Sequence, residues 1–129
     1  MFKTKDSTVN LKHLHPFMTA ALPVIGAVVT EFLGYTAVIT SGCDGTHSGI
    51  FHHLGCATDW RIWDEENSGR FIDQERKLKL AEKIQTALDN EFGEGIFRIW
   101  TKHDSHLHID LNGTSRRALL WETQVWRQP

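Results

Sequence analysis

Eight histidines stand in this chain of 129 residues, and six of them form two groups: His47, His52 and His53 in one, His103, His106 and His108 in the other. Neutral imidazole and carboxylate hold zinc and similar divalent ions, and a site that does chemistry uses three protein donors, leaving a fourth position open for water. Two histidines and one carboxylate are enough. His52 and Asp59 are separated by the stretch His53-Leu54-Gly55-Cys56-Ala57-Thr58. Gly55 allows a tight backbone turn between them, and Ala57, next on Asp59's side of an extended chain, is small enough to leave room above a metal. His106 and His108 lie on one face of an extended chain. Both can reach one ion, or one can bind it while the other addresses what the ion binds.

For these side chains to meet, the segments carrying them must be strands of one sheet with a polar face. From Cys56 to Ile62 the pattern alternates, with Ala57, Asp59 and Arg61 on one side and Cys56, Thr58, Trp60 and Ile62 on the other, the core side. His106 to Leu111 alternates likewise, with Leu107, Ile109 and Leu111 opposed to His106, His108 and Asp110. Pro16 suits the first position of a helix, in which Met18, Leu22, Ile25, Val29 and Phe32 recur at spacings of three and four up to a stop at Gly34. Pro23 is expected to bend or divide that helix. A second helix runs from about Ile72 to Phe92 on the stripe Leu80, Ile84 and Leu88, widened by Ala81, with Gly93 as its stop and its Glu and Lys run as a solvated face.

Further strands are expected at Tyr35 to Ile39 and Ile96 to Thr101, loops at Thr40 to Gly49 and Asp64 to Gly69, and a closing helix or strand around Leu119, Leu120, Trp121, Val125 and Trp126. Residues 1 to 15 read as a loosely ordered leading segment. The result is one α+β domain over residues 1 to 129, a small, largely antiparallel sheet with helices packed on one face and the candidate chemistry on the other.

Composition narrows the partners. Fourteen Lys and Arg against sixteen Asp and Glu leave a net charge of -2, with no basic field to gather nucleic acid. Cys43 and Cys56 lack both C-x-x-C spacing and a second pair, so they read as small residues beside a core. The apolar run Phe17 to Val29 is shorter than the ~20 residues a bilayer needs. Asp6 lies ahead of it, Pro23 and Gly26 interrupt it, and Glu31 ends it without a small-residue cleavage pattern, so it reads as a buried helix of a chain made in the cytoplasm without membrane insertion. Trp60, Trp63 and Trp100 read as core or rim, His13 and His15 as surface or helix-start histidines, and His53 as a neighbour pointing away. Oligomeric state leaves no mark in the sequence.

The pattern H-x-x-G-x-A-x-D, filled by His52, Gly55, Ala57 and Asp59 and followed by H-x-H at His106 and His108, resembles the zinc peptidase superfamily that includes the D-Ala-D-Ala carboxypeptidases and the hedgehog signalling domain. The stretch Ile39 to Ser48 resembles its small, often phage-encoded members, and the likeness spans about residues 16 to 112. The resemblance implies a zinc cleft in a hedgehog-like fold, with His52, Asp59 and His108 as ligands and His106 beside the metal, stabilising an oxyanion. His103 falls where some members have another site histidine. The implied substrate is a peptidoglycan stem or cross-bridge peptide, cut by an endopeptidase or carboxypeptidase such as a phage endolysin. His47 either lines the cleft or is structural, and Arg61 either meets a substrate carboxylate or, the favoured reading, pairs with a surface acid.

Two departures from the family pattern stand out. Many relatives carry an acidic general base three residues before the last ligand, where this chain has Ser105, and a serine two before the first ligand, where it has Ile50. Strand parity puts Asp104 on the side of His106 and His108 if the strand extends back that far, which ranks it first as base, with His106 or His103 as substitutes. The departures also motivate a rival, a zinc-containing module that binds cell-wall peptide or serves in a virion without catalysis. An iron oxygenase fits less well, because its two histidines and carboxylate typically include a closely spaced H-x-D.

Overall fold

Helix stops, caps and two-residue alternation set the elements in the computed structural model, which describes residues 1–42 and 57–112. Strand β1 (Phe2–Thr4) leads into helix α1 (Pro16–Leu33), then β2 (Ala37–Ser41), β3 (Ala57–Arg61), helix α2 (Gln74–Phe92), β4 (Phe97–Trp100) and β5 (His106–Leu111). The expectations for the Cys43 and Cys56 thiols, for His47, His52 and His53, and for a closing element after Gly113 lie outside the described residues.

α1 begins with Pro16 in its first turn, behind His15, whose Nδ1 accepts from the Phe17 N–H at 3.0 Å. His15 is therefore a helix start, as one of the two readings had it, but it is buried rather than on the surface. Gly34 closes the helix in the left-handed region at φ 85°, which glycine adopts without steric cost. α1 runs unbroken through Pro23. At 18 residues it is long and apolar enough by length and composition to cross a membrane, longer than the run Phe17 to Val29 suggested. Its stripe Met18, Leu22, Ile25, Val29 and Leu33 is nevertheless packed in the core. α2 is capped by Asp73, whose side chain accepts from the Arg76 N–H at 2.8 Å. One residue departs from the expected solvated Glu and Lys run: Lys77 is 2% exposed, and its Nζ donates to the carbonyls of Thr101 at 3.2 Å and His103 at 2.8 Å.

The sheet order is β1-β2-β3-β5-β4. β2/β3, β3/β5 and β5/β4 pair antiparallel, as a largely antiparallel sheet requires, but β1 pairs parallel with β2, so the sheet is mixed. Parallel neighbours need a crossover, and α1 supplies it between β1 and β2. α2 makes a second crossover, carrying the chain from β3 to the edge strand β4, after which β5 returns between them. That return puts β5 against β3. Both helices share one core with Ile39, Trp60, Leu107 and Ile109, leaving the far face of the sheet to the polar alternates.

The leading segment differs most from expectation, because it supplies a sheet edge instead of a loose tail. The Lys5 N–H donates to the Ile39 carbonyl at 2.9 Å, and Thr30 Oγ1 donates to the Met1 carbonyl at 3.2 Å while accepting from the Ala37 N–H at 3.0 Å. Gly26 makes this approach possible, since a Cβ there would lie 2.7 Å from the Met1 carbonyl oxygen. Gly26→Ala is therefore expected to push β1 outward and to cost about 1–3 kcal/mol, typical of overpacking. Urea denaturation reads the loss. Amide exchange at Lys5 should quicken in the same variant, and unchanged protection there would refute the close approach.

Candidate functional site

Strand register assembles a compact polar group on the far face. Asp59 in β3 sits opposite His108 in β5, Ala57 opposite Asp110, and Arg61 opposite His106. From β4, Trp100 lies opposite His108 and Arg98 opposite Asp110. In β2 the register shifts between Ile39 and Ser41, so Ile39 faces Trp60 on the core side while Ser41 faces Asp59. One extra residue in a strand re-aims the side chains beyond it.

Asp59 and His108 meet directly, with Oδ1 of the carboxylate 2.9 Å from Nδ1 of the ring. The ring's other nitrogen, Nε2, lies 3.0 Å from Oδ2 of Asp110. Asp110 also accepts from Arg98 Nε at 3.0 Å and Trp100 Nε1 at 3.1 Å. His106 brings its Nε2 to 3.7 Å from the same Asp59 oxygen, while its Nδ1 lies 2.9 Å from Ser105 Oγ. His103 stacks on His106, with ring centroids 4.7 Å apart and planes at 19°. Lys77, reaching from α2 to the carbonyls of Thr101 and His103, pins the loop that carries this stack.

Burial of the His108 ring disfavours its charged form, but hydrogen bonds to Asp110 and Asp59, together with their negative charges, outweigh it and raise its pKa to about 9. The sign of the linkage follows. A histidine that titrates near 6.5 when unfolded and near 9 when folded contributes stability that is complete below about pH 6.5 and is lost progressively as the pH rises through about 9. The metal-free protein should accordingly weaken in urea between pH 6 and pH 10, and His108→Gln should flatten that dependence. An equal slope in both proteins would count against the assignment.

The residues read from the sequence divide clearly. Asp59, His106 and His108 converge, and His103 joins them through the stack. For Asp104 the strand argument does not hold: β5 starts at His106, so the alternation that was to aim Asp104 at the site stops short of it, and the residue is exposed. Arg61 occupies the expected face, but its guanidinium lies over the Trp63 ring, 3.9 Å from the centroid, where pairing with a surface acid was favoured. His47 and His52 lie outside the described residues. Sequence reasoning placed Asp110 on the polar face without giving it a role. The signal was present in the alternation His106, His108, Asp110, a third polar residue on one face of a strand whose other face is wholly apolar.

Among the described residues no three His, Cys, Asp or Glu side chains form a metal-binding group. The donor chemistry nonetheless suits zinc in part, since a carboxylate and an imidazole nitrogen face each other at 2.9 Å and His52, expected as a further donor, lies outside the described residues. No family model matches the chain, no curated protein matches it, and no solved structure matches it.

Proposed function

We propose that the chain is a zinc-dependent peptidase acting on peptidoglycan stem or cross-bridge peptides, with His52, Asp59 and His108 as metal donors. The observation that carries this reading is the meeting of Asp59 Oδ1 and His108 Nδ1 across β3 and β5, with His106 beside them. The resemblance of the H-x-x-G-x-A-x-D and H-x-H patterns to the zinc D-Ala-D-Ala carboxypeptidase and hedgehog superfamily supplies the reaction and substrate class.

Zinc bound there would polarise a scissile carbonyl and bring the pKa of water from 15.7 down to roughly 7. His106, held through its Nδ1 by Ser105, offers Nε2 as a donor to the developing oxyanion. Its stacking partner His103 limits rotation of that ring and becomes the leading side chain to accept a proton, because Asp104 lies outside the strand. A phage endolysin, reaching the wall once a separate protein has opened the membrane, fits this reading.

One observation favours the rival, a zinc-containing wall-binding or virion module without catalysis: Ser105 stands where relatives carry the acidic base, and Asp104, the first-ranked substitute, lies before the start of β5 and is exposed. Incubation with purified peptidoglycan decides between them. Release of new amines that stops with chelator and returns with zinc is the expected result. Zinc bound without any release supports the rival, and cleavage that survives complete zinc removal overturns the mechanism.

A further inference from the structure

His108 offers two nitrogens and has a carboxylate at each, so its ring alone does not decide which one meets a cation. The two carboxylates differ in what else they hold. Asp110 accepts Arg98 Nε on Oδ1, and both Trp100 Nε1 and His108 Nε2 on Oδ2, with its side chain only 3% exposed. Arg98 and Trp100 are donors only and cannot become metal ligands. Asp110 is thereby closed to a cation, and its charge is offset by the guanidinium. The side-chain contacts of Asp59, by contrast, include two histidine rings, His108 and the more distant His106.

We propose that Asp110, clamped by Arg98 and Trp100 from β4, is the positioning residue that fixes the His108 ring so that Nδ1, together with Asp59, is the atom presented to a divalent cation. This rests on the metal reading above and adds which nitrogen binds and what holds it there. An ionised carboxylate can only accept, so Asp110 requires the proton on Nε2, and the partner of one ring nitrogen sets the role of the other. The clamp resists re-aiming because its parts come from paired positions, Arg98 opposite Asp110 and Trp100 opposite His108. Turning the ring over about its Cβ–Cγ bond would put carbons where both nitrogens now lie and break the pairings with Asp59 and Asp110 together.

The test uses zinc alone, with two readouts besides activity. In long-range 1H–15N spectra of the zinc-loaded protein, His108 should show a metal-bound Nδ1 and a protonated Nε2. Chelator competition should find zinc affinity about 10–100-fold lower in Asp110→Ala, the usual cost of losing an outer-shell partner of a ligating histidine. Trp100→Phe removes one clamp donor and keeps the carboxylate, so it should lower affinity less and still show Nδ1 ligation. If Asp110→Ala fails to fold when metal-free, as judged by its melting transition, Trp100→Phe and the spectrum of the unaltered protein carry the test. Coordination through Nε2 overturns the proposal, as does an Asp110→Ala protein that binds zinc as tightly as the original while His108→Ala does not. An unaltered protein that takes up no zinc overturns the metal reading itself, and the proposal with it.

Discussion

On the proposed zinc reading, replacing His108 with alanine is expected to lower zinc affinity by at least about 100-fold, the upper end of what loss of an outer-shell partner costs, because that reading makes His108 itself a ligand. Asp59→Ala should do the same. The two substitutions differ in what they leave behind. Without Asp59, His108 loses one of the two carboxylates it pairs with among the described residues, so its pKa should fall from about 9, and the metal-free protein should hold less of its stability near neutral pH. Proton and metal compete for the same ring. Zinc affinity of the unaltered protein should therefore rise by about tenfold per pH unit from pH 7 toward 9, the range over which folded stability without metal declines. Chelator competition across that range checks the slope, and a flat profile would exclude His108 as a ligand. Peptide cleavage, where present, should vanish in both variants.

Trp60→Ala carries the second large effect, this time on the fold. The indole is fully buried between Ile39 and Leu107 of the flanking strands, lies edge-on to Phe2 at 6.0 Å, and donates from Nε1 to Thr58 Oγ1 at 2.9 Å. Thr58 is itself buried, with Met18 Sδ at 3.5 Å from the same hydroxyl. Truncation removes the ring from the middle of the core face and leaves that hydroxyl without its donor. The loss should be about 3–5 kcal/mol, a large part of the 5–15 kcal/mol typical of a domain. At ordinary urea sensitivities this lowers the unfolding midpoint by roughly 2 M. Trp60→Phe keeps most of the packing and should cost less. A midpoint for Trp60→Ala close to that of the unaltered protein would mean that the β3 core face is not packed as described. Because Asp59 leaves the same strand on the other side, Trp60 also holds that carboxylate in register with His108.

The face assignments were legible in the sequence because alternation is local. Trp60, Thr58 and Ile62 against Asp59 and Arg61, and Leu107, Ile109 and Leu111 against His106, His108 and Asp110, need nothing beyond the two-residue period of an extended chain. Helix ends were legible for a similar reason, since Gly34 and Gly93 and the proline at the start of α1 act within one turn. The alternation could not be carried back to Asp104, because a strand's end is set by where its neighbours stop pairing, and β3 pairs with β5 only as far as His106.

What the chain determines by itself is therefore the type of each element and the side on which each residue leaves it. Which strands become neighbours is another matter, since pairing is a contact between distant segments and leaves no period in either. Only the tertiary structure decided that β5 returns between β3 and β4, that residues 2 to 4 form a parallel edge, that Lys77 turns inward, and that Asp110 lies beneath Arg98 and Trp100. The convergence of Asp59 on His108 combines both levels, a local rule that aims each side chain and a non-local packing that sets the two strands side by side.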